Sequence, residues 1–206
     1  MSFPIAVLIS GEGSNLQALL DTVHGQDGIE IVAVAASRAE ARGLARAEAA
    51  DVETAVFALA DQPDRELRDQ ALGDWLEERG AQLVVLAGFM ELLTPAFIRR
   101  FAGRIVNVHP ALLPAFPGLG AIEQALEHGV KVAGVTVHFV DEGVDSGPIV
   151  LQESFELPYH RDIAAIEQRF HEVEHRLLPR AVQLIAAGRV RVDEANPRLV
   201  RVEADD

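Results

Sequence analysis

Short apolar runs alternate with helix-length amphipathic stretches, and this alternation constrains the fold of the chain most. Residues 5–9, 31–36, 55–59, 83–87 and 105–108 contain between them a single polar side chain, Asn107. Runs of that length and purity read as strands covered on both faces, the pattern of a parallel sheet. Between them, residues 16–23, 40–50, 64–79 and a short stretch opened by Thr94-Pro95 have helical character, and Thr94-Pro95 is a cap followed by proline at the first helical position. The alternation predicts an α/β fold with a doubly wound, mostly parallel sheet. Past residue 130 the texture changes. Residues 132–140 and 148–157 read as two longer strands joined by the acidic turn Asp141-Glu-Gly-Val-Asp-Ser-Gly147, so antiparallel strands are expected in the C-terminal half. A long helix from about 162 to 187 stops at Gly188, and 189–206 is a polar tail with room for short strands. The whole of 1–206 reads as one domain, with halves 1–100 and 101–206.

Composition narrows the function class. Eighteen Lys+Arg against 32 Asp+Glu, a net charge of −14, oppose nonspecific nucleic-acid binding, which depends on neutralising phosphates. With no cysteine there is no disulfide, thiolate zinc site, iron–sulfur ligation or cysteine nucleophile. The first apolar run has no basic segment before it and is too short for a signal peptide or a membrane span. The expectation is a soluble cytoplasmic protein without nucleic-acid or membrane partners, and with a homodimer left open.

Two segments carry candidate chemistry. Ser10-Gly-Glu-Gly-Ser-Asn-Leu16 follows the first strand and opens the first helix, where unpaired backbone N–H groups suit a phosphate. Leu16 stands where a dinucleotide fingerprint needs its third glycine, and the Gly-Lys-Ser/Thr of a phosphate loop is missing, so a single phosphate fits better than NAD or a triphosphate. A plain tight turn, capped by Ser14 or Asn15, is the other reading. The fifth strand ends in Asn107-Val-His-Pro-Ala-Leu-Leu-Pro-Ala-Phe-Pro-Gly118, stiffened by Pro110, Pro114 and Pro117. Asn107 and His109 alternate along a strand and share a face, at the carboxyl end where α/β sheets collect ligands. His109 suits proton transfer, and the Asn107 amide suits donation to an oxyanion. The alternative is a structural pair that satisfies loop backbone. Asp145, between glycines 143 and 147, is placed to orient His109 and stabilise its charged ring, or else to cap its own turn.

On the long helix, His171-Glu-Val-Glu-His175 fits the H-E-x-x-H pattern of zinc proteases. Counting about 100° per residue, Ile163, Ile166, Phe170, Leu177, Ala181 and Leu184 form the buried stripe, and the two histidines fall about 90° and 130° from its centre. No third ligand follows, so no metal site is expected. Glu174 falls about 30° from that centre, on the inward face, where a carboxylate needs a positive partner.

Ser10-Gly-Glu-Gly-Ser-Asn-Leu16, Leu86-Ala-Gly-Phe-Met90, Asn107-Val-His-Pro-Ala-Leu-Leu-Pro114 and Val137-His-Phe-Val-Asp-Glu-Gly-Val-Asp-Ser-Gly-Pro148 resemble the phosphoribosylglycinamide formyltransferases over nearly the whole chain. The resemblance implies a formyltransferase-type Rossmann-like fold. It implies formyl transfer from 10-formyltetrahydrofolate, as co-substrate, to the amine of glycinamide ribonucleotide in purine (IMP) synthesis, with no metal. It implies a phosphate-binding N-terminal half and a folate-binding, catalytic C-terminal half. By motif, Asn107, His109 and Asp145 would be catalytic. Gly13, Ser14 and Asn15 would hold the ribonucleotide phosphate, and Glu174 would meet its amine. Arg65, Met90, Glu91, Leu92, Leu93, Asn107, Val140, Asp141, Glu142, Gly143 and Val144 would line the folate site. Three positions depart from the family pattern: Glu91 stands where arginine is common, Gly120 where histidine is usual, and Ala111 where serine is common. Formyltetrahydrofolate deformylase is the nearest rival, but usually carries an extra N-terminal domain before its first strand. Methionyl-tRNA formyltransferase would call for a basic extension. A non-catalytic nucleotide-binding module of the same fold would have no reason to keep Asn107, His109 and Asp145 together.

Overall fold

A computed structural model describes residues 2–62, 64–157 and 162–203. The chain divides into two compact units, the first ending at Asn107 and the second beginning at Val108.

The first unit is built on β1 (Phe3–Ile9), β2 (Ile29–Ala36), β3 (Thr54–Val56), β4 (Leu83–Leu86) and β5 (Ile105–His109), whose last two residues belong to the second unit. Their pairings are all parallel: β1 with β2 and β4, β2 with β3, and β4 with β5. Helices α1 (Ser14–Thr22), α2 (Gly43–Ala49), α3 (Arg65–Glu78) and α4 (Pro95–Arg100) connect them. The side chains of residues 5–9 in β1 are wholly buried. Each large one contributes roughly 1.5–3 kcal/mol by leaving water, which is why so short a run suffices as the sheet's centre. Thr94 accepts from the Phe97 N–H, the cap expected from the sequence, and Asp64, which the sequence reading did not single out as a cap, accepts from the Leu67 N–H at the start of α3.

Most boundaries lie within two residues of expectation, and two differ by three. The third strand stops at Val56 instead of running to 59: the Phe57 N–H still reaches Ala36 O, and the chain then turns through Leu59–Asp61 towards α3. The second helix begins at Gly43 instead of Glu40, because its start is fixed by docking. The Gly43 N–H donates to Gly11 O at 3.1 Å, and a Cβ on Gly13 would stand 2.6 Å from the Gly43 Cα. Only glycine against glycine allows that approach.

The second unit carries α5 (Ala121–Glu127), β6 (Val132–Phe139), β7 (Ile149–Glu156), α6 (Ile163–Ala186) and the terminal pair β8 (Val190–Val192) and β9 (Val200–Val202). β6 and β7 pair antiparallel, as do β8 and β9. The strand order in the main sheet is β3-β2-β1-β4-β5-β6-β7, a mostly parallel α/β sheet with antiparallel strands late in the chain. α6 packs on β6 and β7, with Phe170 edge-on to Phe155 at 4.9 Å. Ile163, placed in the buried stripe by helical phase, is instead 56% exposed, because it is the first residue of the helix. The seven-residue α5 has no counterpart in the sequence reading. It starts from Gly120 at φ +68, a left-handed position that suits the glycine standing there. Among the described residues no helix is long and apolar enough to cross a membrane.

Candidate active site

The order of the first five strands reverses between β1 and β4, and open α/β sheets bind ligands outside the carboxyl ends of the strands at such a point. Two segments leave those ends. The first is the 10–14 turn. Gly13, at φ +72, is the cap position of α1 and has no side chain to bond the opening N–H groups; it and Asn15 are buried, and Ser14 is half-buried. Ser10 ties the turn down: its hydroxyl accepts from Ser37 at 2.7 Å and from the Met90 N–H at 2.8 Å. Three arginines that the sequence reading passed over surround it. Arg38 donates to Ser10 O at 2.5 Å, Arg46 to Glu12 O at 2.9 Å, and Arg42 pairs with the Glu12 carboxylate at 3.2 Å. Their spacing of four along the entry to α2 is the signal that could have exposed them.

The second segment runs from 87 to 93 after β4 and has no helix or strand of its own. Met90 and Leu92 are 65% and 59% exposed, while Glu91 and Leu93 are half-buried. Beneath it lie Arg68 and Asp69 of α3, an ion pair of 2.5 Å with both side chains buried. Arg65, one turn earlier, is exposed.

The second unit holds the candidate acid–base residues. His109 is buried at the end of β5, with Nδ1 3.4 Å from Asp145 Oδ2 and Nε2 2.8 Å from Phe116 O. Both ring nitrogens thus face acceptors, the arrangement an imidazolium satisfies. Asp145 Oδ2 also accepts the Gly118 N–H at 2.7 Å, and Oδ1 lies 3.5 Å from His138 Nε2. Burial pushes the Asp145 carboxyl up. The His138 hydrogen bond, the Gly118 N–H and the charges of the two histidines outweigh it and hold the pKa down at about 2. Two members of the cluster occupy left-handed backbone, Phe116 at φ +51 and Asp145 at φ +49. Strain of that kind concentrates where a site is held in one geometry. The turn admits little else: a Cβ on Gly147 would stand 1.9 Å from Phe139 O.

His138 and Thr136 were not singled out by the sequence reading. His138 Nδ1 donates to Phe139 O at 2.8 Å, leaving its other nitrogen towards Asp145. Thr136 clamps the proline-rich loop, donating to Ala111 O at 2.6 Å and accepting from the Leu113 N–H at 3.1 Å. Both are buried polar residues on one face of an otherwise apolar strand, which is the signal that marks them.

Asn107 sits two residues before His109 in β5, paired with Leu86 of β4, and is half-buried. Val140 and Asp141 are half-buried, whereas Glu142, Gly143 and Val144 are exposed around the Asp145 turn. Asp141 closes that turn, accepting from the Gly143 N–H and the Ser146 hydroxyl. Glu174 is buried on α6, as its helical phase predicts. His171 is exposed and stacks on the half-buried His175 with centroids 5.9 Å apart. Burial and the neighbouring His171 push His175 down from its ordinary pKa. Among the described residues no three His, Cys, Asp or Glu are grouped to hold a metal ion.

A carboxylate-backed imidazole is able to polarise a carbonyl and move a proton. That is the equipment of an enzyme that passes an activated group directly from one substrate to another. The formyl transferase family matches residues 4–182, most of the chain, and the chain belongs to this family. It is 42% identical over 191 residues to a phosphoribosylglycinamide formyltransferase of Haemophilus influenzae, covering 92% of this chain and 90% of the relative. The human trifunctional purine biosynthetic protein adenosine-3 is 44% identical over 92% of this chain, which spans 19% of that larger protein. Among solved structures, glycinamide ribonucleotide transformylase 1 from Symbiobacterium toebii superimposes with a TM-score of 0.93 at 45% identity, covering 98% of this chain and 95% of that one. At greater distance, a formyltetrahydrofolate deformylase from Pseudomonas syringae has a TM-score of 0.90 at 26% identity, covering 99% of this chain and 67% of that one.

Proposed function

We propose that this enzyme transfers the formyl group of 10-formyltetrahydrofolate to the glycine amine of glycinamide ribonucleotide, a step of purine synthesis in the cytoplasm. The amine nitrogen attacks the formyl carbon, a C–N bond forms and the carbonyl π electrons move to oxygen. Asn107 and the His109 imidazolium donate to that oxyanion, which takes the place of Phe116 O as acceptor for Nε2. Collapse breaks the bond to the folate N10, and the proton shed by the amine ends on N10. Asp145 balances the imidazolium charge and fixes the ring. Gly13, Ser14 and Asn15 hold the ribonucleotide phosphate, and Glu174 receives the amine. Arg65, the 90–93 segment and the 140–144 turn line the folate site.

The observation that carries the reading is the His109–Asp145 pair, 3.4 Å apart, with Asp145 locked by the Gly118 N–H. The likeness to the deformylase favours one rival, in which water replaces the amine as acceptor. Incubation with 10-formyltetrahydrofolate, with and without glycinamide ribonucleotide, separates the two. Tetrahydrofolate formed only when the ribonucleotide is present is the expected result. Formate released without it would establish the hydrolase, and no turnover in either case would point to a binding module.

A further inference from the structure

Arg68 and Asp69 have no part in the chemistry above, yet they are the most deeply buried charges in α3, at 0% and 2% exposure. They grip the 87–94 segment at three points. The Arg68 guanidinium lies over the Phe89 ring at 5.7 Å, its Nη2 is 3.4 Å from Leu92 O, and Asp69 Oδ2 accepts the Thr94 N–H at 2.6 Å. Along this stretch Met90 and Leu92 turn their side chains to solvent. Within 87–93 the only charged residue is Glu91, so the cation that anchors the segment comes from α3.

A buried ion pair is a poor source of stability, because desolvation offsets the attraction. This one is not arranged for stability either: Arg68 Nη1 is buried with no hydrogen-bond partner among the described residues. What the pair does supply is direction. A guanidinium and a carboxylate that reach main-chain O and N–H two residues apart fix the path of the backbone, which apolar packing alone would leave free to slide.

We propose that Arg68 and Asp69 are positioning residues for folate: the pair holds the 90–93 segment on the course that presents Met90 and Leu92 to the co-substrate, and so sets affinity for folate and not for the ribonucleotide. The inference rests on the assignment of 90–93 to the folate site. Arg68→Met alone would strand Asp69 as an unpaired buried charge and risk unfolding. The decisive variant is therefore R68M/D69N in the full chain, which removes both charges and keeps an amide oxygen for the Thr94 N–H. Its KM for 10-formyltetrahydrofolate and its Kd for tetrahydrofolate by calorimetry are expected to rise about tenfold, with kcat at saturation and the ribonucleotide KM within about threefold of wild type. Arg68→Lys, which keeps the charge beside Asp69 but not the planar fork, should fall between the two and gives the same comparison should the double variant not fold. An active double variant with an unchanged folate KM overturns the proposal and leaves the proposed reaction standing. An equal rise in both KM values also overturns it, since that is what general loosening produces. Wild-type enzyme that binds no tetrahydrofolate brings down the folate assignment itself, and this inference with it.

Discussion

Asp145→Asn tests the acid–base cluster through stability as well as rate. In the native protein the Asp145 carboxyl is held at about 2 against an ordinary 3.8. At about 1.4 kcal/mol per pH unit, that difference stabilises the fold by about 2 kcal/mol when the group is ionised. The sign follows from the direction: a depressed carboxyl contributes fully above its unfolded value and loses the contribution as pH falls through the folded one. Asparagine cannot ionise, so the variant lacks the contribution at every pH. At pH 7 the variant should therefore be less stable by about 2 kcal/mol, or roughly 4–8 °C in Tm for a chain of this size. The gap should shrink to about half by pH 3 and close near pH 2. Urea unfolding of both proteins at a series of pH values reads this directly. A gap that is the same at pH 7 and pH 3, or no gap at pH 7, would refute the claim that His109, His138 and the Gly118 N–H stabilise an ionised Asp145.

The remaining expectations concern the separate parts of the site. Gly13→Ala places a Cβ 2.6 Å from the Gly43 Cα on a backbone at φ +72, so a loss of about 1–3 kcal/mol is expected, with the ribonucleotide KM rising more than the folate KM. Asn107→Ala should lower kcat by about 10²–10³-fold, the usual cost of one oxyanion donor, with little change in either KM. His109→Ala should lose most of kcat while still binding the ribonucleotide in a calorimeter; near-wild-type turnover would remove His109 from the mechanism. Because the protein carries a net charge of −14 and its proposed ligands are anions, added salt should not steeply slow substrate capture, and a steep fall would reveal a basic funnel.

The residues whose environment is set by their immediate neighbours were the legible ones. Residues 5–9 and 83–86 read as buried strands because nothing polar interrupts them, and Thr94 announces its helix through local capping chemistry. Residues 57–59 continue the apolar texture, so the end of β3 lay in how the chain leaves the sheet and not in its composition. α5 has too few residues to establish a period, and the late start of α2 depends on a glycine thirty positions earlier. In the site, Asn107, His109 and Asp145 stood out by motif, whereas Arg68 and Asp69 sit in a charged helical stretch that reads as solvated. Their burial and their contacts with Leu92 and Thr94 come from a part of the chain more than twenty residues on, which no local pattern announces.

The acceptor that His109 Nε2 meets at Phe116 belongs to the main chain. Every amino acid carries that carbonyl, so no exchange of the side chain at 116 deletes it. A scan that trims one residue at a time to alanine would remove the Phe116 ring from its contact with His128 and leave the bond to His109 untouched. What governs the bond is the course of the backbone: the left-handed angle at Phe116, the ring of Pro117, and Gly118 at φ +82. Selection on this contact would therefore be written at 117 and 118, one and two positions after the residue that makes it.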